Sequence, residues 1–173
     1  GTADSPDTKG MLLAKPELPQ MVQRPNFEDY EAKDGTLDME AYNAAYEAWQ
    51  EDRTDRLALD DGWSDGMQSF FLTTSQQYLA GTDGDNRVYS PLSLYLALAM
   101  LAECTDGESR AQILSLLGSE SIEIQRKKAS ALWSSTYCDD GQTKCLPGSS
   151  VWLNRDIDFR QETMDALAEH YRA

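Results

Sequence analysis

This sequence predicts a mainly helical chain with a few short strands, and three observations carry that reading. Apolar and aromatic residues recur at three- or four-residue steps in several separate stretches, the period of a helix with one packed face. Start and stop signals punctuate those stretches, with Ser90-Pro91 at one beginning and Gly118 at one end. Extended sequence is brief by comparison, limited to Val88-Tyr89 and the run Val151-Trp152-Leu153.

Taken in order, residues 1 to about 35 hold Pro6, Pro16, Pro19 and Pro25, and no helix runs through such spacing. Met11-Leu12-Leu13 and Met21-Val22 are short apolar beads that suit an extended arm lying on a body. From about Asp38 to Ala58 the pattern is helical, with Asp38 as cap and Glu40 in the first turn. Met39, Tyr42, Tyr46, Trp49 and Arg53 line one face of it, and Glu47, Glu51, Asp52 and Asp55 the other. An aromatic stripe at helical spacing reads as a packing face.

Leu59-Asp60-Asp61-Gly62 breaks the pattern, and a second helix follows from about Asp65 to Tyr78, with Met67, Phe70, Phe71, Thr74 and Tyr78 inward. Residues 81–86 read as a turn. Asp83 and Asp85 have the first spacing of a calcium loop, but no glycine stands sixth and no glutamate twelfth. Ser90 caps the next helix, Leu92 to Cys104, which is apolar nearly all round and therefore central. Thr105 and Glu108 have the spacing of a capping box for a helix that carries Ile113, Leu114, Leu116 and Leu117 and stops at Gly118.

Ile122 to about Tyr137 is amphipathic through Ile122, Ala129, Leu132, Trp133 and Thr136, with Arg126, Lys127 and Lys128 as a solvated basic face. Val151 to Leu153 is apolar on both alternating faces, as a strand covered on both sides would be. Asp158 and Gln161 then suggest a second capping box, opening a helix through Met164, Leu167, Ala168 and Tyr171.

Composition narrows the function. A chain of 173 residues is long enough for a real core. Its net charge of −15 disfavours nucleic acid and anionic membrane surfaces as partners, since both require a basic face. The longest apolar run, Leu94 to Ala102, is too short to span a membrane. The polar start at Gly1, in place of the usual initiator Met, fits an expression scar or a mature N-terminus. Of three cysteines, Cys138 and Cys145 flank the short polar loop Asp-Asp-Gly-Gln-Thr-Lys. A disulfide across it is geometrically plausible and points to an oxidising, extracytoplasmic setting. Cys104 follows a buried run and reads as a small core residue.

No catalytic constellation is legible. The lone His170 falls on the exposed side of the last helix, and no nucleophile elbow, phosphate loop or zinc motif is present. The acidic pairs Asp60-Asp61 and Asp139-Asp140 sit in turns, where solvation is expected. The sequence gives no reason to expect a metal, a cofactor or an enzyme.

The specific signal is a series of motifs. Val88-Tyr89-Ser90-Pro91-Leu92-Ser93-Leu94 is followed by Ala97-Leu98-Ala99-Met100-Leu101, then Thr105-Asp106-Gly107-Glu108-Ser109-Arg110, then Gln112-Ile113-Leu114 and Leu117-Gly118. Further on come Ser150-Val151-Trp152-Leu153-Asn154 and a helix containing Phe159. In order and spacing this series closely resembles the serpin family of protease inhibitors. Ser109 stands where Thr is common in that family, and Ser149 where Asn often occurs.

The resemblance covers roughly residues 65 to 173 and implies the N-terminal helical portion of the mixed α+β serpin fold. It divides the chain into an N-terminal extension, residues 1–61, and an incomplete serpin-like domain, residues 62–173. The segment from Pro25 through Trp49 to Gly62 is similar to extensions on bacterial, gut-type serpins. Ser90 and Ser93 match the shutter serines, which the family uses to control strand insertion; simple helix capping accounts for them equally well. The helix bearing Arg126 to Lys128 resembles the polyanion-binding helix of some animal serpins.

The implied function is suicide-substrate inhibition of serine or cysteine proteases. Nothing in residues 1–173 resembles the reactive loop or its hinge, so this chain reads as a fragment of such an inhibitor. The alternative is a stand-alone, non-inhibitory binding or structural module. A fragment with an unfinished core and an apolar strand at 151–154 is expected to self-associate.

Overall fold

The computed structural model describes residues 12–81, 84–154 and 156–173. Met11 and the Thr82-Asp83 part of the expected turn lie outside them. Among the described residues six α-helices dominate: α1 (Met39–Leu57), α2 (Met67–Leu79), α3 (Pro91–Glu103), α4 (Gly107–Leu116), α5 (Ile122–Thr136) and α6 (Gln161–Tyr171). The only sheet among them is a two-stranded antiparallel ribbon, β1 (Cys138–Asp139) with β2 (Lys144–Cys145).

Helix α3 is the hub. Ser90 Oγ accepts the Ser93 amide and Pro91 occupies the first turn, so the start expected from Ser-Pro forms. Tyr95, Leu96, Ala99 and Met100 share one core with Met67 and Phe70 of α2, Leu117 just past α4, Ala129 and Leu132 of α5, and Met164, Leu167 and Tyr171 of α6. Burial all round does not hold, because Leu101 is about half exposed.

At the end of α4 the chain turns through Gly118 in the left-handed region, at φ 66°. The Ser119 amide donates to Leu114 and the Gly118 amide to Ser115, the double closure of a Schellman stop. Gly118 also lies against Gly66, and a Cβ on Gly118 would sit 2.8 Å from the Gly66 Cα. Both positions therefore require glycine twice over, for backbone angle and for close approach.

The extension packs on the body through α1 and the arm before it. Asp38 Oδ1 accepts the Ala41 amide as the expected cap. Phe27, Tyr42 and Tyr46 stack in sequence, Tyr30 meets Tyr42 edge-on, Trp49 lies tilted against Tyr46, and Trp49 is 7% exposed. Met21, one of the expected beads, is buried with Trp133 and Tyr137.

Several expectations need correction. The capping box at Thr105 does not form: Thr105 Oγ1 donates back to the Leu101 and Ala102 carbonyls, and α4 starts at Gly107. Asp158 does not cap α6, whose N-cap is Arg160; the Gln161 side-chain amide instead donates to Asp165. Tyr78 is exposed and stacks on Tyr89, not on the core. Residues 151–153 form no strand; Leu153 reaches the core, but Trp152 is 85% exposed. A strand is stable only with ladder neighbours, and among the described residues no segment pairs with this one. The strands that do form fall where a polar loop was expected.

Candidate functional site

The functional candidates gather at the two ends of α3 and on the ribbon beside α5. At its N-terminus, Ser90 Oγ and Ser93 Oγ lie 2.9 Å apart, and the Ser93 amide reaches Ser90 Oγ at 3.2 Å. The two predicted serines are thus brought together, exposed, as a cap with a hydroxyl behind it. This geometry satisfies one of the free helix-start amides and holds no base that could activate either hydroxyl.

At the C-terminal end of α3 sits a buried carboxylate that the sequence did not single out. Glu103 is 4% exposed. Arg126 holds it with a two-pronged pair, Nε to Oε1 and Nη2 to Oε2, each 2.8 Å, and Tyr171 Oη donates to Oε1 at 2.9 Å. Burial pushes the Tyr171 phenol far above its ordinary value, and the Glu103 carboxylate beside it adds to the shift. Tyr95 is raised as well by burial, offset in part by Gln125 and Ser119. Tyr95 Oη and Ser119 Oγ both donate to Gln125 Oε1, at 3.1 and 2.7 Å.

Lys128 corrects the expected solvated basic face. It is 7% exposed, and Nζ donates to the Asp65 and Gly118 carbonyls. Its pKa is lowered, chiefly by burial, with Asp65 and Glu120 opposing. Only Lys127 of the three basic residues is exposed. Arg126 and Lys128 are structural cations whose partners lie far away in sequence, which is why a local charge count misreads them.

On the ribbon, Cys138 and Cys145 are directly opposed Cα partners. The bridge expected between them is not formed; all three cysteines are free. Cys138 packs against Met21, Trp133 and Tyr137 while Cys145 is exposed, so the two sulfurs are drawn to different surroundings. Cys104 is exposed at the end of α3, not a core residue. Asp140, expected to be solvated, is 5% exposed. Burial works against its charge, but the Thr143 and Gln142 amides outweigh this and hold the carboxyl below its usual range. Trp49 Nε1 also bears on this carboxylate without closing a full hydrogen bond.

His170 is half-buried and not on an exposed face, and among the described residues its carboxylate neighbour is Glu169, at 4.0 Å. Among the described residues no three His, Cys, Asp or Glu side chains converge as metal ligands, and no helix is long and apolar enough to cross a membrane.

Comparison with known proteins bears on residues 65–173, which match the family described as Serpin (serine protease inhibitor). The chain is 34% identical to serpin-Z12 of rice, Oryza sativa subsp. japonica, over 54% of this chain and 22% of that protein. It is 23% identical to serpin-ZX of Arabidopsis thaliana over 70% of this chain and 30% of the relative. A third match, serpin-Z5 of rice, is 29% identical over 62% and 25% respectively. The chain thus spans about a quarter of the length of the curated relatives it matches. These relatives are plant proteins, so the likeness of residues 25–62 to bacterial extensions gains no support from them. No solved structure matches.

Proposed function

The chain belongs to the serpin family over residues 65–173, and on that premise we propose that it supplies the N-terminal helical scaffold of a protease inhibitor. The inhibitor acts as a suicide substrate on serine or cysteine proteases, and the loop that the protease cuts lies outside residues 1–173. The observation that carries this reading is the family match itself, whose span contains the capped α3 hub and the Schellman stop. In the whole protein Ser90 and Ser93 stand where a sheet opens to admit a strand. The chain acts outside the cytoplasm, an oxidising setting that suits the opposed but free pair Cys138 and Cys145, since Cα partners in an antiparallel ladder stand within disulfide reach.

The test compares two proteins against trypsin-, chymotrypsin- and elastase-like proteases on denaturing gels. A gene product extended to the length of the relatives should give a stable adduct that depends on the protease's active serine. Residues 1–173 alone should give none. An adduct from the short chain overturns the placement of the loop, and inhibition-free behaviour of the long one overturns the inhibitor reading. The short chain should also self-associate in sedimentation through Leu146, Val151 and Trp152, all substantially exposed.

A further inference from the structure

We propose that the Cys138–Cys145 pair is a redox-sensitive latch for the N-terminal arm. This is independent of protease inhibition and rests on how the arm meets the ribbon. Residues 19–24 lie along the end of α5 and β1. Tyr137 Oη donates to the Pro19 carbonyl at 3.0 Å, and the Asp139 amide points at Met21 Sδ, also at 3.0 Å. Gln23 Nε2 donates to the Asp139 carbonyl at 3.1 Å, and the Arg24 amide to the Asp140 carbonyl at 2.7 Å. The arm therefore uses the main chain of the two residues that follow Cys138. Its apolar anchor, Met21, is 8% exposed and shares one small cluster with Trp133, Tyr137 and the Cys138 side chain.

The pair is free and opposed. Directly opposed Cα atoms in an antiparallel ladder stand about 4.5–5.5 Å apart, inside the window that a disulfide tolerates. Bridging therefore asks little of the backbone. In the latch, closing the bridge turns the Cys138 side chain, which packs on the Met21 cluster, toward Cys145. Oxidation thus withdraws a packing partner from the arm's anchor, and the docked arm in turn holds the pair in its reduced form. The coupling is reciprocal by necessity.

With glutathione disulfide as oxidant the chemistry balances. The exposed Cys145 attacks one glutathione sulfur as thiolate, forming a mixed disulfide and releasing one glutathione. The Cys138 thiolate then attacks the Cys145 sulfur and expels the second glutathione. One disulfide forms and one is broken. Two electrons pass from the protein to glutathione, and the two thiol protons end on the two glutathione thiols.

The experiment uses the full chain carrying Cys104→Ser, so that only the pair titrates, in buffers of graded glutathione to glutathione-disulfide ratio. Alkylation and mass spectrometry give the bridged fraction, and amide hydrogen exchange reports on Arg24. The bridged chain should exchange the Arg24 amide about fivefold faster or more, the lower end of typical coupling between sites. Met21→Ala should move the equilibrium toward the disulfide by a similar factor, and Met21→Leu should restore most of the coupling. With Cys145→Ser, Arg24 should no longer respond to the oxidant. Bridge formation with unchanged or slower Arg24 exchange overturns the latch, and so does a pair that stays open in glutathione disulfide alone. If Met21→Ala fails to fold, the exchange comparison in the Cys104→Ser chain decides the matter by itself.

Discussion

Around α3 the buried polar groups reach one another across long stretches of chain. Glu103 meets Arg126 and Tyr171, and Lys128 meets the carbonyls of Asp65 and Gly118. Around Met21 the arm is held by main-chain hydrogen bonds, a stack of aromatic rings, and the cations Arg24 and Arg53 over Trp49, at 5.2 and 5.9 Å from its ring centre. The first region has its charges inside and depends on particular partners. The second holds one buried carboxylate, Asp140, satisfied by the amides of its own turn, keeps its cations at the rim and depends on surface coverage. Damage to the first should therefore be global and severe, and damage to the second milder and local.

The harshest test of that contrast is Arg126→Ala. It strands the Glu103 carboxylate, whose side chain is only 2% exposed, with Tyr171 Oη as its remaining partner. Arg126 itself is partly open to water, but the group left behind is not, so the full penalty of an unpaired buried charge applies. The expected loss is about 4 kcal/mol in chemical denaturation. A loss below about 1 kcal/mol would mean that Glu103 is wetter than its burial implies.

Trp49→Ala probes the second region. Truncating a buried tryptophan costs about 3 kcal/mol, and here the loss should fall on the arm and α1. Hydrogen exchange should quicken across residues 19–57 while the amides of α3 and α6 keep their protection. Uniform quickening throughout the chain would erase the distinction between the two regions.

How much of this is legible in sequence follows from how far each partner lies. The aromatic part of the α1 stripe, the Ser90 cap and the inward face of α6 are local patterns, since their determinants lie within a turn or two, and they stand where expected, although Met39 and Arg53 at the ends of the stripe are exposed. The pairing of Arg126 with Glu103 spans 23 positions and that of Lys128 with Asp65 spans 63, and no window of local charge reveals either. Residues 151–153 carry a correct strand pattern, but a pattern supplies no ladder. The serines are legible because their motif is contiguous; Met21 is legible only as an apolar bead of an arm, because its partners Trp133 and Tyr137 lie more than a hundred positions away.

Alkaline pH sharpens the comparison from the side of the main core. Tyr171 and Tyr95 have folded-state pKa values raised above the ordinary 10.0, first by burial. A raised pKa contributes stability that is fully present below the unfolded value and is lost as pH climbs above it, because the unfolded chain then sheds protons that the folded chain retains. Stability should therefore fall above about pH 10, by about 1.4 kcal/mol per pH unit from Tyr171, with Tyr95 adding in the same direction. Tyr171→Phe should flatten that slope by one proton, measured as denaturation midpoint against pH. An unchanged slope would show that the phenol ionises as readily in the folded chain as in the unfolded one.

The smallest expected effect lies at the serines, where it decides between a cap and a network. Ser90 Oγ accepts the Ser93 amide, so Ser90→Ala leaves a helix-start donor to water and should cost about 1 kcal/mol. Ser90→Gly should cost only a few tenths of a kcal/mol. Ser93 differs, because its hydroxyl touches only Ser90 Oγ, at 2.9 Å, and that site is exposed. Under simple capping, Ser93→Ala should cost less than about 0.5 kcal/mol, as an exposed substitution that breaks no cap does. The double variant should then lose no more than Ser90→Ala alone, because Ser93 Oγ acts only through Ser90. Thermal melts of the three variants give the answer. A Ser93→Ala loss equal to that of Ser90→Ala, with the two adding, would mean that Ser93 has a partner of its own and that the pair does more than start a helix.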